Sequence, residues 1–196
     1  MAEDRRARSR RELRERIEAA ALDLFVTHGY RETTMDQIAE RSDTARRTLF
    51  NHFPRKRDIL DIWSDRRRER LALMFDAEAL AAVSAGKRLA QLFDALATVN
   101  TDDPALAKVI VVGRLAEMGA LEESFPVFDA LQRCVVAGQE SGEFSDQAPA
   151  ETVGEVLTSC YLDALQRWVF TDQEAGFDLA DNLRIKLDLI LNGLRS

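Results

Sequence analysis

The side chains best suited to chemistry in this chain lie close together, between residues 34 and 56. Arg46, Arg47, Thr48, Phe50 and Asn51 surround a single apolar Leu49, and Thr34, His52 and Lys56 flank them. The set holds no nucleophile with a base and an orienting partner. It has instead the chemistry for reading DNA. A guanidinium fork fits a guanine edge or a phosphate, an Asn amide pairs with adenine, and a Thr methyl or Phe ring meets the thymine methyl. For His52 a packing or phosphate role fits better than catalysis or metal binding.

Two short helices and a turn must position these groups. Met35, Ile38 and Ala39, then Leu49 and Phe53, leave the positions between them polar, which is one buried face per short helix. Ser42-Asp43-Thr44 lacks a good helix former and predicts a break. Thr34 with Gln37 three residues on is a T-x-x-Q capping box, opening a helix over about 35–41. Its first-turn amides and the Thr34 hydroxyl are expected to be free to face a phosphate. Asp43 tolerates a left-handed backbone better than most residues. A second helix over about 45–53 turns Leu49 and Phe53 inward, and Pro54 ends it. The plan is a helix-turn-helix.

Upstream, Leu13, Ile17, Ala20, Ala21, Leu24 and Phe25 step by three and four and predict a first helix over about 11–28, closed by Gly29. Arg5, Arg6, Arg8, Arg10 and Arg11 precede it with little apolar to fix them, and read as a mobile basic arm able to follow phosphates.

Net charge is −7, which taken alone argues against nucleic acid, but its distribution reverses the inference. Residues 1–70 carry 18 Lys+Arg against 14 Asp+Glu, and the remainder 9 against 20, so a basic contact region is attached to an acidic body. The chain shows no apolar run of spanning length and no signal peptide, so a cytoplasmic protein with no membrane partner is expected. Cys134 and Cys160 form no C-x-x-C pair and read as buried thiols.

From Ile17 to Leu60 the sequence resembles the DNA-binding segment of the TetR (tetracycline-repressor-like) family of transcriptional regulators. The parts that carry the resemblance are His28-Gly29-Tyr30, the Thr33-Thr34 pair, Ile38-Ala39, the stretch Thr48-Leu49-Phe50-Asn51-His52-Phe53 and then Lys56. It departs from the family pattern at Asp43, where a turn glycine is usual, at Thr44 and Ala45, at Arg47 in place of Gly, and at Phe50 in place of a phosphate-touching Tyr. Operator sequence and phosphate contacts therefore do not carry over.

The resemblance implies a helix over about 55–80 that connects two domains, and last two long helices that pair with their symmetry mates. Two-fold pairing also follows physically, because one small helix-turn-helix reads too few base pairs. The rest of the chain is helical by pattern, with helices marked by Leu89–Leu96, Asp103-Pro104 onward, Pro126 onward, about 150–170 and about 177–194, and a loop at Ser141–Pro149. The expected fold is all-α: a three-helix DNA-binding domain over 1–54 and a larger helical bundle over 55–196 for ligand binding and dimerisation, about nine helices in total.

Dimer contacts are expected at Leu157, Cys160, Tyr161, Ala164, Leu183, Leu187, Ile190 and Leu191. Effector-site candidates are Trp63, Phe93, Arg114, Glu117, Met118, Phe128, Tyr161 and Trp168, which interrupt aliphatic helices; Arg114 and Glu117, three apart, also suit a mutual pair. No enzyme motif is found. His28 and His52 are the only histidines, there is no G-x-S-x-G elbow and no phosphate-binding glycine loop. No cofactor or metal is expected. The sequence thus predicts a homodimeric regulator, a repressor in the leading reading, that binds a palindromic double-stranded operator and is released by a small-molecule effector. A helical small-molecule carrier with a vestigial helix-turn-helix is the alternative, favoured only by Asp43 and Phe50.

Overall fold

The structure, a computed structural model, describes residues 2–74, 83–117, 126–171 and 176–194. Nine α-helices and no strands occur among them: α1 (Ala2–His28), α2 (Met35–Arg41), α3 (Arg46–His52), α4 (Lys56–Met74), α5 (Ala85–Thr101), α6 (Pro104–Glu117), α7 (Pro126–Glu140), α8 (Ala150–Phe170) and α9 (Leu179–Leu194). None is long and apolar enough to cross a membrane among the described residues. The far end of the expected 55–80 helix lies outside the described residues.

Packing divides the chain into two units, Met1–Arg66 with Ala105–Gly119, and Arg67–Pro104 with Ala120–Ser196. The division does not fall at residue 54, where sequence pattern placed it. The first half of α4 and nearly all of α6 belong with the helix-turn-helix. In the core of this unit Ile17, Leu24, Phe25, Tyr30, Ile38, Leu49, Phe53, Ile59, Leu60, Trp63 and Val109 are buried together. Val109 comes from α6, which sequence pattern could assign only to the C-terminal bundle. Its close approach depends on Gly113: a Cβ there would lie 2.6 Å from Leu60 Cδ1 and 3.3 Å from Tyr30 Cδ2.

The expected mobile arm is helical instead. α1 begins at Ala2, and Arg5, Arg6, Arg8, Arg10 and Arg11 are exposed along it. Residues 2–16 contain no Gly or Pro and are mostly Arg, Glu and Ala, strong helix formers, with Glu12 four residues before Arg16. Propensity therefore extends the helix beyond its apolar anchor. Its other end stops where expected: Gly29 has φ +94, and its N–H donates to the Phe25 carbonyl at 3.1 Å.

The second unit packs α5, α7, α8 and α9 around Leu89, Leu92, Phe93, Leu131, Val135, Leu157, Ala164, Leu183 and Leu187. The loop after α7 closes the start of α5: the Glu143 carboxylate accepts from the N–H groups of Ala85 at 2.7 Å and Gly86 at 3.0 Å, satisfying two amides that have no intrahelical partner. Phe144 seats where a Cβ on Gly138 would intrude. Cys134 is buried as expected, whereas Cys160 is only half-buried; both are free thiols.

Six of the eight side chains expected to meet a partner subunit, Leu157, Tyr161, Ala164, Leu183, Leu187 and Leu191, are buried in this core and offer little area outward. Burial of a wide apolar face inside the chain competes with burial between chains, and sequence alone does not separate the two. The large apolar groups that α8 and α9 do expose are Val156 (46% exposed), Phe170 (62%), Ile185 (60%) and Leu189 (69%).

Replacing Gly113 with Ala forces a methyl against Leu60, itself fully buried. The expected cost is about 1–3 kcal/mol, measured as a lower urea midpoint with unchanged slope.

Candidate nucleic-acid interface

The helix-turn-helix is held by local bonds that leave one face of α3 open. Thr34 caps α2: its Oγ1 accepts from the Gln37 N–H at 3.2 Å, while the Gln37 Oε1 accepts from the Thr34 N–H at 2.8 Å. The Thr34 hydroxyl donates to that same Oε1 at 3.1 Å, so its proton is already engaged rather than free for a phosphate. In the turn, buried Ser42 donates to the Ile38 carbonyl at 2.7 Å, and the Thr44 N–H donates to the Ala39 carbonyl at 2.9 Å. Asp43 takes the left-handed backbone, φ +49, where sequence pattern placed it.

α3 buries Leu49 completely and is followed by buried Phe53, extended at φ −141 before Pro54. These two anchors turn the remaining positions outward. Arg46, Arg47 and Asn51 are exposed; Thr48, Phe50 and His52 are half-buried. The Arg46 guanidinium lies 3.0 Å from Asp36 of α2 and 5.6 Å from the Phe50 ring centroid, and is thus steered while still exposed. Arg47 has no ion pair among the described residues. Half-buried Arg14 of α1 approaches the other end of α3, 5.1 Å from the Phe53 ring centroid, and burial, with the charges of Arg14 and Arg10, lowers the pKa of His52 below the usual imidazole value. His52 is therefore predominantly neutral at pH 7. A run of cations on α1 and α3 makes this face electropositive.

Lys56 is placed differently from the sequence expectation. Its ammonium faces inward, donating to the backbone carbonyls of Tyr30 at 2.7 Å, Thr33 at 2.7 Å and Arg31 at 3.3 Å, and lies 4.6 Å from the Tyr30 ring centroid. Burial lowers its pKa, and Glu117 and Glu32 oppose that shift. An ammonium with three donors spent on carbonyls has none left for a phosphate. The residue that resembles a DNA contact by position instead fastens the α1–α2 loop to α4. Neighbouring Arg55 is likewise occupied, 2.8 Å from Asp58.

The effector-site candidates among the described residues divide between the two units. Trp63 is buried in the first unit, edge-on to Phe25, with its indole N–H donating to Glu18 at 3.3 Å. Arg114 pairs with Asp61 at 3.0 Å, and Glu117 accepts from the Tyr30 hydroxyl at 2.8 Å, so these two are not each other's partners. Burial and Glu117 both push the Tyr30 phenol well above its ordinary pKa. All three belong to the core and flank of the helix-turn-helix unit, because α6 packs there. Phe93 and Tyr161 are buried in the second unit, and Phe128 and Trp168 are half-buried in it. Met118 lies outside the described residues.

Residues 17–61 match the model of the family described as bacterial regulatory proteins, tetR family. Over 190 residues the chain is 25% identical to the HTH-type transcriptional repressor KstR of Mycolicibacterium smegmatis, covering 93% of this chain and 89% of that protein. The regulator TcmR of Streptomyces glaucescens is 41% identical over 54 residues, 28% of this chain and 24% of TcmR. Among solved structures, the TetR-family repressor FadR of Thermus thermophilus, in complex with lauroyl-CoA, is similar with a TM-score of 0.66 at 27% identity, covering 93% of this chain and 95% of that one. The efflux-pump repressor SmeT of Stenotrophomonas maltophilia shares the fold, with a TM-score of 0.75 at 20% identity over 93% of this chain and 90% of SmeT.

Lys56→Met keeps the stem and removes the charge. With three carbonyls left without their donor, stability is expected to fall by about 2 kcal/mol, read from urea unfolding.

Proposed function

The chain belongs to the tetR family of bacterial regulatory proteins, and from that premise we propose that it binds a palindromic operator as a homodimer in the cytoplasm and is released by a small-molecule effector taken up by the second unit. The observation that carries the reading is the geometry of α3. Leu49 and Phe53 are locked in the core, and Arg46, Arg47 and Asn51 are exposed on the opposite side beside the cations of α1. Such a face inserts into a major groove, with Asn51 and the arginines at base edges or phosphates, Thr48 and Phe50 at thymine methyls, and His52 at its margin.

Dimerisation is assigned to the outer faces of α8 and α9. Val156, Ile185 and Leu189 are too exposed for a chain that leaves them unpartnered at no cost. An open groove of about 520 Å³, lined by Glu155, Val156, Ser159, Cys160, Asp163 and Lys186, continues this surface. Cys160 and Ile190, both half-buried, are the two sequence-expected residues still placed to contribute. Effector binding favours a spacing of the two α3 helices that no longer matches successive grooves, and linkage requires DNA to weaken effector binding by the same factor.

Operator titrations by fluorescence anisotropy at several salt concentrations test the DNA face. Arg47→Ala is expected to weaken binding and to lower the slope of log K against log salt by about one. Lys56→Met is expected to weaken binding with the slope unchanged, since Lys56 positions the reading head and touches no phosphate. An unchanged affinity for the double variant Arg46→Ala, Arg47→Ala sinks the reading.

The dimer face has a separate check. Ile185→Glu combined with Leu189→Glu is expected to sediment as a monomer in analytical ultracentrifugation and to lose at least about tenfold in operator affinity. A dimer of unaltered strength places the interface elsewhere.

A further inference from the structure

The second unit holds a buried polar chain that runs from α4 through α5 to α8. Arg67 of α4 donates from Nη2 to the Val99 carbonyl at 2.5 Å and to Asn100 Oδ1 at 2.9 Å. Asn100 Nδ2 donates to the Leu96 carbonyl at 2.6 Å and to the Tyr161 hydroxyl at 3.2 Å. The orientation of the amide is forced at both ends, because a guanidinium has nothing but donors and a backbone carbonyl nothing but acceptors. Tyr161 is therefore the acceptor in its bond with Asn100, and its own O–H meets no acceptor among the described residues.

Burial raises the pKa of that phenol, which keeps its proton. Asn100 and Tyr161 are buried and Arg67 half-buried. Every bond in the chain runs the same way, and it ends on an unused donor. The Arg67 bonds end on a carbonyl and an amide, both neutral, and among the described residues no carboxylate lies within ion-pair distance of it. Arg70, which pairs with Asp102, lowers the Arg67 pKa through space, and Asp103 raises it; burial is the largest influence and lowers it.

A partly desolvated cation lacking its counter-ion, beside a phenol lacking its acceptor, matches one kind of ligand. We propose that Arg67, Asn100 and Tyr161 form the head-group site for an effector with an anionic end, carboxylate or phosphate, on an apolar body. This rests on the reading of the second unit as the effector-binding unit. The anion supplies the charge that Arg67 lacks and accepts the Tyr161 proton in a charge-assisted bond. Leu96 on α5, with Leu157 and Leu165 on α8, lie one helical turn from Asn100 and Tyr161 and are buried, so an apolar body entering beside the head group meets aliphatic side chains. Arg67 and Asn100 stand outside the sequence-based candidates because each is an ordinary helix residue until α4, α5 and α8 are packed together.

The test is calorimetric titration of the full chain with decanoate, decyl phosphate and decanol, which share a body and differ in the head. At least one of the two anions is expected to bind about tenfold or more tightly than decanol, and which one does identifies the head group. Tyr161→Phe and Arg67→Met are each expected to weaken that anion about tenfold while decanol binding stays as it was. Tyr161→Phe preserves the ring and decides the matter if Arg67→Met fails to fold.

Decanol binding as well as both anions, neither anion binding, or both variants retaining full affinity for the anion overturns the site. Operator affinity measured on the ligand-free protein reports separately on the regulator. Tight anion binding with no change in operator affinity upholds the site and overturns release by effector.

Discussion

Lys56 holds the reading head together. A helix C-terminus and the loop that follows it leave carbonyls without N–H partners, and between α1 and α2 those of Tyr30, Arg31 and Thr33 converge on one ammonium. The same cation lies against the Tyr30 ring, which also packs on Phe25 with centroids 4.9 Å apart. One charge thus joins the end of α1, the approach to α2 and the first turn of α4. Against the core of the unit that contains this junction, Leu49 and Phe53 seat α3, which leaves Arg46, Arg47 and Asn51 exposed.

Other bonds extend it through the first unit. The Tyr30 hydroxyl reaches Glu117 and Asp61 reaches Arg114, so α6 is tied to the loop and to α4 by polar bonds as well as by Val109. On the opposite flank, buried Glu18 of α1 accepts from Trp63 and from both Nη atoms of Arg66 on α4. A buried carboxylate is costly unless paired and hydrogen-bonded, and here it is both.

Features fixed by a few neighbouring residues were legible in the sequence. Gly29 and Asp43 occupy the left-handed positions predicted for them, the Thr34–Gln37 box forms with both bonds, and Leu49 and Phe53 face the core. Each depends on interactions within about four residues, where sequence pattern is informative. Residues whose roles are set by distant partners were misplaced. Lys56 meets carbonyls 23 to 26 residues away, Glu117 meets Tyr30 across 87, and Trp63 fills a core that α6 helps to build. The apolar stripes of α8 and α9 were visible, yet their periodicity does not tell whether the chain's own helices or a second copy covers them. The N-terminal arginines erred the other way: charge suggested a mobile arm, while helix propensity without Gly or Pro continued α1 to Ala2.

The central claim is that α3 reads DNA as one of a symmetry-related pair. Selection of bound sequences from a random double-stranded pool by the purified protein tests it most directly. The expected result is an enriched inverted repeat whose half-site centres are separated by about one helical turn of DNA or a multiple of it. Arg47→Ala is expected to weaken all selected sites evenly, as the loss of a phosphate contact does. Enrichment of no sequence, or of a single non-repeated site bound equally well by the Arg46→Ala, Arg47→Ala double variant, would contradict the account.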